Sequence, residues 1–350
     1  MNSHLHVAGW GLLIRIPLSV ALMVASALPG FANETEAFFR GRQLTMYLGG
    51  GPGASVDING RILAQHITRF LPGSPTVVVK NLPAAGGVQA YMALAATAPR
   101  DGSAFATFAR GPLSDPVFAE RPANYDVQKF NWIGSLNDDT SICYTLASSR
   151  IRTLDDARRN IVTMASTGVL SESSKFPQSL NATIGTRFKV INGYSGAADT
   201  LLAIEKGEVD GRCTTLGNLR STRPDYLTLG KINILVQVGL RKHIDLGASP
   251  LASDLTESEV DRQFLDLIAA PIAIDSPFAL PPDIPADKLA VWREAFDRTV
   301  VDSKFLSDAA KANVQITAHT GPEVEAIVRR IYSASPAVIE KGRAAFAAAN

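Results

Sequence analysis

Leu44-Thr45-Met46-Tyr47-Leu48-Gly49-Gly50-Gly51-Pro52-Gly53-Ala54-Ser55-Val56-Asp57 decides the fold class. Its first five residues are an apolar run of strand length, and the glycines after them end the strand. Beyond Asp57 the apolar period changes: Ile58, Ile62, Leu63, Ile67 and Phe70 fall on one face of a helix. Ser55 or Asp57 is placed to cap that helix, because a side-chain oxygen there accepts one of its unpaired amide hydrogens. The same grammar recurs outward. Thr76 to Lys80 is a valine-rich strand that runs into Asn81-Leu82-Pro83-Ala84-Ala85-Gly86-Gly87 and then a helix carrying Val88, Tyr91, Met92, Leu94 and Ala95. A turn at Pro99-Arg100-Asp101-Gly102 leads to a third strand, Ala104 to Phe108, ending at Ala109-Arg110-Gly111-Pro112. Strands alternating with helices predict βαβ units and a parallel sheet.

From about residue 140 the pattern begins again. Ile142 to Ala147 is a strand, and Thr153-Leu154-Asp155-Asp156 starts a helix with a cap and acids in its first turn. Ile161 to Ala165 ends in Ser166-Thr167-Gly168-Val169-Leu170-Ser171, and Phe188 to Ile191 ends in Asn192-Gly193-Tyr194-Ser195-Gly196. Ala198, Leu201 and Leu202 mark a helix stopped by Gly207, and Val209 to Cys213 and Ile232 to Gly239 complete a second sheet. The tail alternates proline turns (Pro271, Pro277, Pro281-Pro282, Pro285) with helices around 286–302, 303–312 and 322–333. The punctuation near 269–285 suggests the chain returning from the second unit to the first. The 350 residues exceed what one hydrophobic core usually spans, so two domains are expected.

Thirty-four Lys and Arg stand against 33 Asp and Glu, and a formal charge of +1 offers no field for nucleic acid or an anionic membrane. The first 32 residues are of another kind: they hold no acid, Arg15 is their one formal side-chain charge, and Ile16 to Leu28 is an apolar run of 13. That run is shorter than the ~20 residues a spanning helix needs. With small residues at cleavage spacing in Gly30-Phe31-Ala32, residues 1–32 are expected to be a secretory signal peptide cleaved after Ala32. The alternative, an anchor over Ala8 to Leu28, is interrupted by Arg15 and Pro17. No cysteine follows the run, so lipid anchoring is not expected, and the exported product should be soluble. Cys143 and Cys213 stand 70 residues apart with no C-x-x-C and no neighbouring histidine pair, so zinc is not signalled. In an oxidising compartment they are expected to form a disulfide, the alternative being two independent buried thiols.

Helix starts that follow glycine-rich strand ends are anion sites, since free backbone N–H groups and the positive end of the helix dipole face the loop. The first unit offers such loops at 49–57 and 81–87, the second at 166–171 and 192–196. In open α/β sheets these strand ends line the ligand crevice. Gly49-x-Gly51-x-x-Ala54 also fits the dinucleotide fingerprint, but the second strand ends in Lys80-Asn81 where an NAD site wants an acid for the ribose hydroxyls. Lys80 leaves a 2′-phosphate, and hence NADP, open. Hydrolytic chemistry has little support: His66, His243 and His319 are widely separated and no G-x-S-x-G elbow occurs. Asp57 and Asp210 read as a helix cap and a strand-end turn residue in preference to a catalytic carboxylate pair.

Asp57-x-x-x-Arg61, Asn81-x-Pro83-x-Ala85-Gly86-Gly87, Pro99-x-Asp101-Gly102, and Tyr194-x-Gly196-x-x-Asp199-x-Leu201-Leu202 running to Gly207-x-Val209-Asp210 resemble, as an ordered set, the Bug or TctC-like solute receptors of tripartite tricarboxylate transporters. The resemblance implies a two-lobed α/β periplasmic-binding-protein fold of the Venus-flytrap kind, type II, each lobe a mixed sheet flanked by helices. Residues 42–139 and 269–350 would form one lobe and 140–268 the other. It further implies a monomeric periplasmic protein that closes on a small organic carboxylate and delivers it to membrane permease subunits, with no cofactor, metal or catalytic residue. Carried over position by position, Gly51, Ser55 and Asp57, then Ala85, Gly86 and Gly87, and in the other lobe Tyr194, Ser195 and Gly196 match the family's ligand loops; Gly50, Ser166, Thr167, Gly168 and Asp210 are expected to bind the ligand as well. Arg110, at the end of the third strand, is expected to face the cleft, unless it pairs with a surface acid. The sequence departs from the family pattern in Ser166 to Ser171, which lacks the usual glycine spacing, and in the longer insertion Gly49 to Ala54. The alternatives are an exported enzyme on a similar fold, NADP-dependent or hydrolytic, and a receptor that presents its ligand to a membrane sensor.

Overall fold

The computed structural model describes residues 29–119, 122–169 and 171–347. The apolar run of the expected leader lies outside the described residues, and the expected cleavage point after Ala32 falls within the first helix. Along the chain the first unit comprises α1 (Pro29–Phe39), β1 (Gln43–Leu48), α2 (Ser55–Ile67), β2 (Thr76–Asn81), α3 (Val88–Ala96), β3 (Ala104–Thr107), α4 (Gly111–Phe118) and β4 (Asn131–Asn137). The second comprises β5 (Ser141–Leu146), α5 (Leu154–Arg159), β6 (Val162–Ser166), α6 (Glu172–Ile184), β7 (Phe188–Asn192), α7 (Ala197–Glu205), β8 (Gly211–Thr215), α8 (Leu216–Thr222), α9 (Pro224–Thr228) and β9 (Ile232–Val238). The tail adds α10 (Glu259–Ala273), β10 (Asp275–Leu280), α11 (Ala286–Val300), α12 (Ser303–Lys311), β11 (His319–Thr320), α13 (Gly321–Tyr332) and α14 (Pro336–Ala347).

Two sheets organise these elements. The six-stranded sheet runs β11-β4-β10-β3-β1-β2 and the five-stranded sheet β7-β6-β8-β5-β9. Strands β1, β2 and β3 are parallel, as the βαβ pattern predicts. The sheets as wholes are mixed: β10 is antiparallel to β3 and β4, and β5 is antiparallel to β8 and β9. β5 and β10, which each follow a crossing between the sheets, are antiparallel to their neighbours, and the short β11 is antiparallel to β4. The sheet fixes which strand ends meet: Met46 lies beside Val79 and Phe105, so β1, β2 and β3 point their carboxyl ends the same way.

Local chemistry explains most of the elements. Leu44, Met46 and Leu48 alternate into one face of the first sheet, where they pack with Phe105, Phe278, Trp292 and Phe296. Thr153 and Asp156 form a reciprocal capping box that starts α5. The start of α2 differs from expectation. Ala54 is its N-cap and contributes no side-chain bond, while Asp57 reaches back to the amide of Gly53 at 2.9 Å. Strand β8 begins and ends two residues later than the expected Val209 to Cys213, because Asp210 is held in a turn by Thr163.

Between the sheets the chain crosses at Asp138–Thr140 and again where α10 gives way to β10, and the two crossings touch through Asp139 N–H donating to the Ile272 carbonyl at 3.2 Å. A boundary at 268–269 would fall inside α10. One apolar cluster spans both units: Tyr91, Phe108 and Trp132 on one side, Met164, Phe176 and Leu180 on the other, joined by Phe264 and Ile268 of α10 and Val338 of α14. Among the described residues no helix is long and apolar enough to cross a membrane.

Candidate functional site

The loops after β1, β2 and β3 converge, as their common direction requires. Gly87 has φ +93°, and a Cβ there would meet the Gly49 carbonyl oxygen at 2.4 Å, so the second loop lies directly on the first. Ala85 (φ 53°) and Gly86 (φ 65°) precede it in the same left-handed region. The buried Asp57 carboxylate is fully engaged within this lobe: it accepts from Gly53 N at 2.9 Å, Asn81 Nδ2 at 2.8 Å and Arg61 Nε at 2.9 Å. Burial alone would raise its pKa, but these donors hold it below the usual carboxylate range. The Gly50 carbonyl accepts from the same Asn81 amide at 2.8 Å. Gly51 has open space beside it, and Ser55 is exposed in the first turn of α2. Asp57, Asn81 and the contact of Gly87 with Gly49 brace the two loops, and none of these residues lines the cavity described next.

That cavity, of about 260 Å³, opens at the carboxyl ends of β6 and β8. Thr167 follows β6, Ser171, Glu172 and Ser173 begin α6, Ala197 and Thr200 begin α7, and Arg212 to Thr215 belong to β8. Arg110 reaches it from the other lobe. First-turn amides of α6 and α7 have no intrahelical acceptor, so two of its walls are donor-rich. The serine-rich departure from the glycine spacing supplies hydroxyls here: Ser171 Oγ lies 2.8 Å from Ser173 Oγ, and both lie 3.1 Å from the buried Ser166 Oγ. Gly168 N donates to Ser166 Oγ at 3.2 Å. Tyr194 N donates to the Ser166 carbonyl at 3.3 Å, its ring packs on the apolar cluster of the five-stranded sheet, and Gly196 caps α7 after Ser195. Asp210 is elsewhere. It precedes β8 at the far end of the strand, where its carboxylate accepts from Thr163 N and Oγ1, each at 2.7 Å.

Two arginines face the cavity, in different circumstances. Arg110 donates to Glu172 Oε2 at 3.0 Å and lies 3.3 Å from Asp275 Oδ1. Burial would lower its pKa, but Glu172, Asp275 and Asp139 together outweigh burial and raise it. Its charge is therefore already answered by acids. Arg212 is only 6% exposed and donates solely to neutral groups: the Ala197 carbonyl at 3.0 Å, Thr200 Oγ1 at 2.7 Å, Thr214 Oγ1 at 2.7 Å and Asn218 Oδ1 at 3.2 Å. Its buried Nε has no acceptor, and among the described residues no carboxylate lies within ion-pair reach. Burial accordingly lowers its pKa. A buried, uncompensated guanidinium is costly unless something anionic completes it. The sequence reading missed Arg212. Its one signal was a charged residue beside a cysteine expected to be disulfide-bonded, in a strand whose end opens on the cleft.

Cys213, next to Arg212 and also against the cavity, is bonded to Cys143, its directly opposed partner on β5. The lining hydroxyls have no histidine among them, and among the described residues no group of His, Cys, Asp and Glu is gathered as a metal site. What the geometry supplies is a cation, amide hydrogens and hydroxyls around a small space, the donor set of an anion receptor.

A family model described as the tripartite tricarboxylate transporter family receptor matches residues 60–298. A Cupriavidus necator protein described as the UPF0065 protein in the gbd 5′ region is 26% identical over 261 residues, 73% of this chain and 76% of that one. Among solved structures, a TctC solute-binding protein from Polaromonas is similar with a TM-score of 0.66 at 17% identity, covering 83% of this chain and 96% of its own. MatC of Rhodopseudomonas palustris, solved with bound malate, is similar with a TM-score of 0.57 at 17% identity, covering 87% and 99%.

Proposed function

Because the chain belongs to the tripartite tricarboxylate transporter receptor family, we propose that it is a periplasmic receptor that captures a small organic carboxylate between two lobes and delivers it to the membrane permease subunits of such a transporter. The observation that carries the carboxylate is Arg212, a buried guanidinium at the cavity with no acid to complete it among the described residues. Each charge-assisted hydrogen bond contributes about 1.5–3 kcal/mol, so a contact with the guanidinium together with a few amide or hydroxyl donors offsets the entropy of association and reaches micromolar affinity, about −8 kcal/mol. No proton transfer is needed, and turnover is no part of the proposal. Malate in MatC is a precedent for a carboxylate in a protein of similar fold.

The proposed lobes are those built on the two sheets, residues 42–139 with 269–350 and residues 140–268; the strand membership of β1 to β4, β10 and β11 on one hand and β5 to β9 on the other supports that division. Thr167, Ser166, Gly168 and Arg110 are retained as ligand-side residues, with Arg212, Ser171, Ser173 and Thr200 added. Export through a leader at residues 1–32 is supported by its apolar run and the small residues that follow. Isothermal titration of refolded, ligand-stripped protein against an organic-acid panel tests the reading. At least one acid is expected to bind with micromolar affinity, and Arg212→Gln to weaken it about 30-fold or more, the cost of about 2 kcal/mol for breaking a buried charge contact. Absence of binding across the panel would overturn the proposal.

A further inference from the structure

Resting on that receptor reading, we infer that the ligand is a hydroxylated monocarboxylate, with its single carboxylate on Arg212 and its hydroxyls on the serine and threonine wall. The first ground is charge. The charged residues of the cavity lining are Arg110, Arg212 and Glu172. Arg110 is held by Glu172 at 3.0 Å and Asp275 at 3.3 Å, with Asp139 behind them. One uncompensated cation remains among the described residues. A second ligand carboxylate would enter a space already facing Glu172, with no free cation among the described residues to receive it, and a like-charge contact is unfavourable.

The second ground is how Arg212 is held. Thr200 Oγ1, which accepts from it, donates its own proton to the Ala197 carbonyl at 2.8 Å, and Thr214 Oγ1 donates to Asn218 Oδ1 at 3.1 Å. The guanidinium is thus oriented by neutral groups that are satisfied among themselves. They fix its position without cancelling its charge, which is preorganisation for one anionic group. The third ground is the rest of the wall. Thr167, Ser171 and Ser173 present hydroxyls, and among the described residues no aromatic residue belongs to the lining. A hydroxyl has one proton and two lone pairs, so beyond the bonds these groups make to one another their remaining lone pairs are matched better by a polyhydroxylated body than by a methylene chain.

Calorimetric titration of the full ligand-stripped chain with a matched set separates the variables. The set is threonate and gluconate (hydroxylated, one carboxylate), butanoate and hexanoate (no hydroxyls, one carboxylate), tartrate and glucarate (hydroxylated, two), and succinate and adipate (no hydroxyls, two). At whichever chain length fits, the hydroxylated monocarboxylate is expected to bind at least tenfold more tightly than its three counterparts. Glu172→Gln, which releases one of the acids on Arg110, is expected to shift the ratio of hydroxylated dicarboxylate to monocarboxylate binding at least fivefold toward the dicarboxylate. A dicarboxylate binding best to the unaltered protein would overturn the charge argument, and an unhydroxylated monocarboxylate binding best would overturn the hydroxyl argument, both with the receptor reading intact. If none of the eight acids and nothing in the wider panel binds, the receptor reading fails and takes this inference with it.

Discussion

A guanidinium with 6% exposure and, among the described residues, no counter-ion is an uncompensated buried charge, and its removal discriminates binding residues from structural ones. Arg212→Met should leave the thermal stability of the ligand-free protein unchanged or raise it, because the acceptors of Arg212 keep one another as partners, while ligand-induced stabilisation disappears. A clear fall in the melting temperature of the ligand-free protein would contradict this. Asp57 is the opposite case. Its carboxylate gathers Gly53, Asn81 and Arg61, so Asp57→Ala should cost about 2 kcal/mol or more of folding stability in denaturant titration, with affinity of the remaining folded protein unchanged. A large loss of affinity without loss of stability would return Asp57 to the ligand. The family pattern offered Asp57 as a ligand residue because it stands beside the first loop. Contact with the ligand and contact with the loop that surrounds it look alike in a sequence. Arg212 escaped notice for a related reason: an isolated arginine in a strand reads as a solvent-facing residue until the strand proves to be buried on both faces.

Elements were legible where their period was clean. The βαβ strands β1, β2, β3 and β6 emerged within two residues of their observed ends, since apolar runs between glycine turns admit little else. Strand β4 did not, because Asn131-Trp132-Ile133-Gly134-Ser135-Leu136-Asn137 is buried along almost its whole length and shows no alternation. Its Gly134 is required by packing, since a Cβ there would meet the Phe296 ring at 2.2 Å. Strand β10 hid behind Pro277, a residue that argues against a central strand; the ladder accommodates it with a register shift at Phe278 and Ala279. The disulfide and the contact between α2 and α12 each carry a prediction. The bond between Cys143 and Cys213 ties β5 to β8 across a separation of 70 residues, which in the chain-entropy model stabilises by about 4 kcal/mol. The double Cys→Ala variant should unfold at correspondingly lower denaturant, and unchanged stability would contradict it. The second concerns α2 and α12, joined through the buried His66, whose Nε2 lies 3.1 Å from Asp308 while its Nδ1 accepts from Arg69 at 2.8 Å. Burial first, and Arg69 second, lower its pKa from 6.5, against the opposing pull of Asp308 and Asp302. The unfolded chain therefore binds the proton more readily, so the stability His66 contributes is present above about pH 6.5 and is lost as pH falls through the lowered folded value. His66→Gln should flatten the stability profile between pH 7 and 5; an unchanged slope would assign that dependence elsewhere.

At the scale of the molecule, the two α/β units were visible as a repeated grammar, but their joining was not. Helix α14 packs on α6 of the other unit, and α10 contributes Phe264 and Ile268 to a core that both units share. Such pairings lie far apart in sequence and leave no local period. They also restrict motion, since apolar surface held together at about 25 cal/mol per Å² does not part cheaply. Movement is expected instead at the cleft edge, where the first turn of α6 meets the other unit through Glu172 to Arg110 at 3.0 Å and Lys175 to Asp115 at 2.7 Å. In hydrogen exchange, ligand should slow residues 166–175 and 197–200 and leave α10 and α14 unchanged; altered exchange in α10 or α14 would mean that the shared core opens. The most direct measurement is a crystal structure of the protein with its tightest-binding acid. The predicted result is a ligand carboxylate within 2.7–2.9 Å of the Arg212 guanidinium, the range of a charge-assisted pair, and about as close to the α6 and α7 hydroxyls. A carboxylate seated on the 49–57 and 81–87 loops, with Arg212 touching only water, would contradict it.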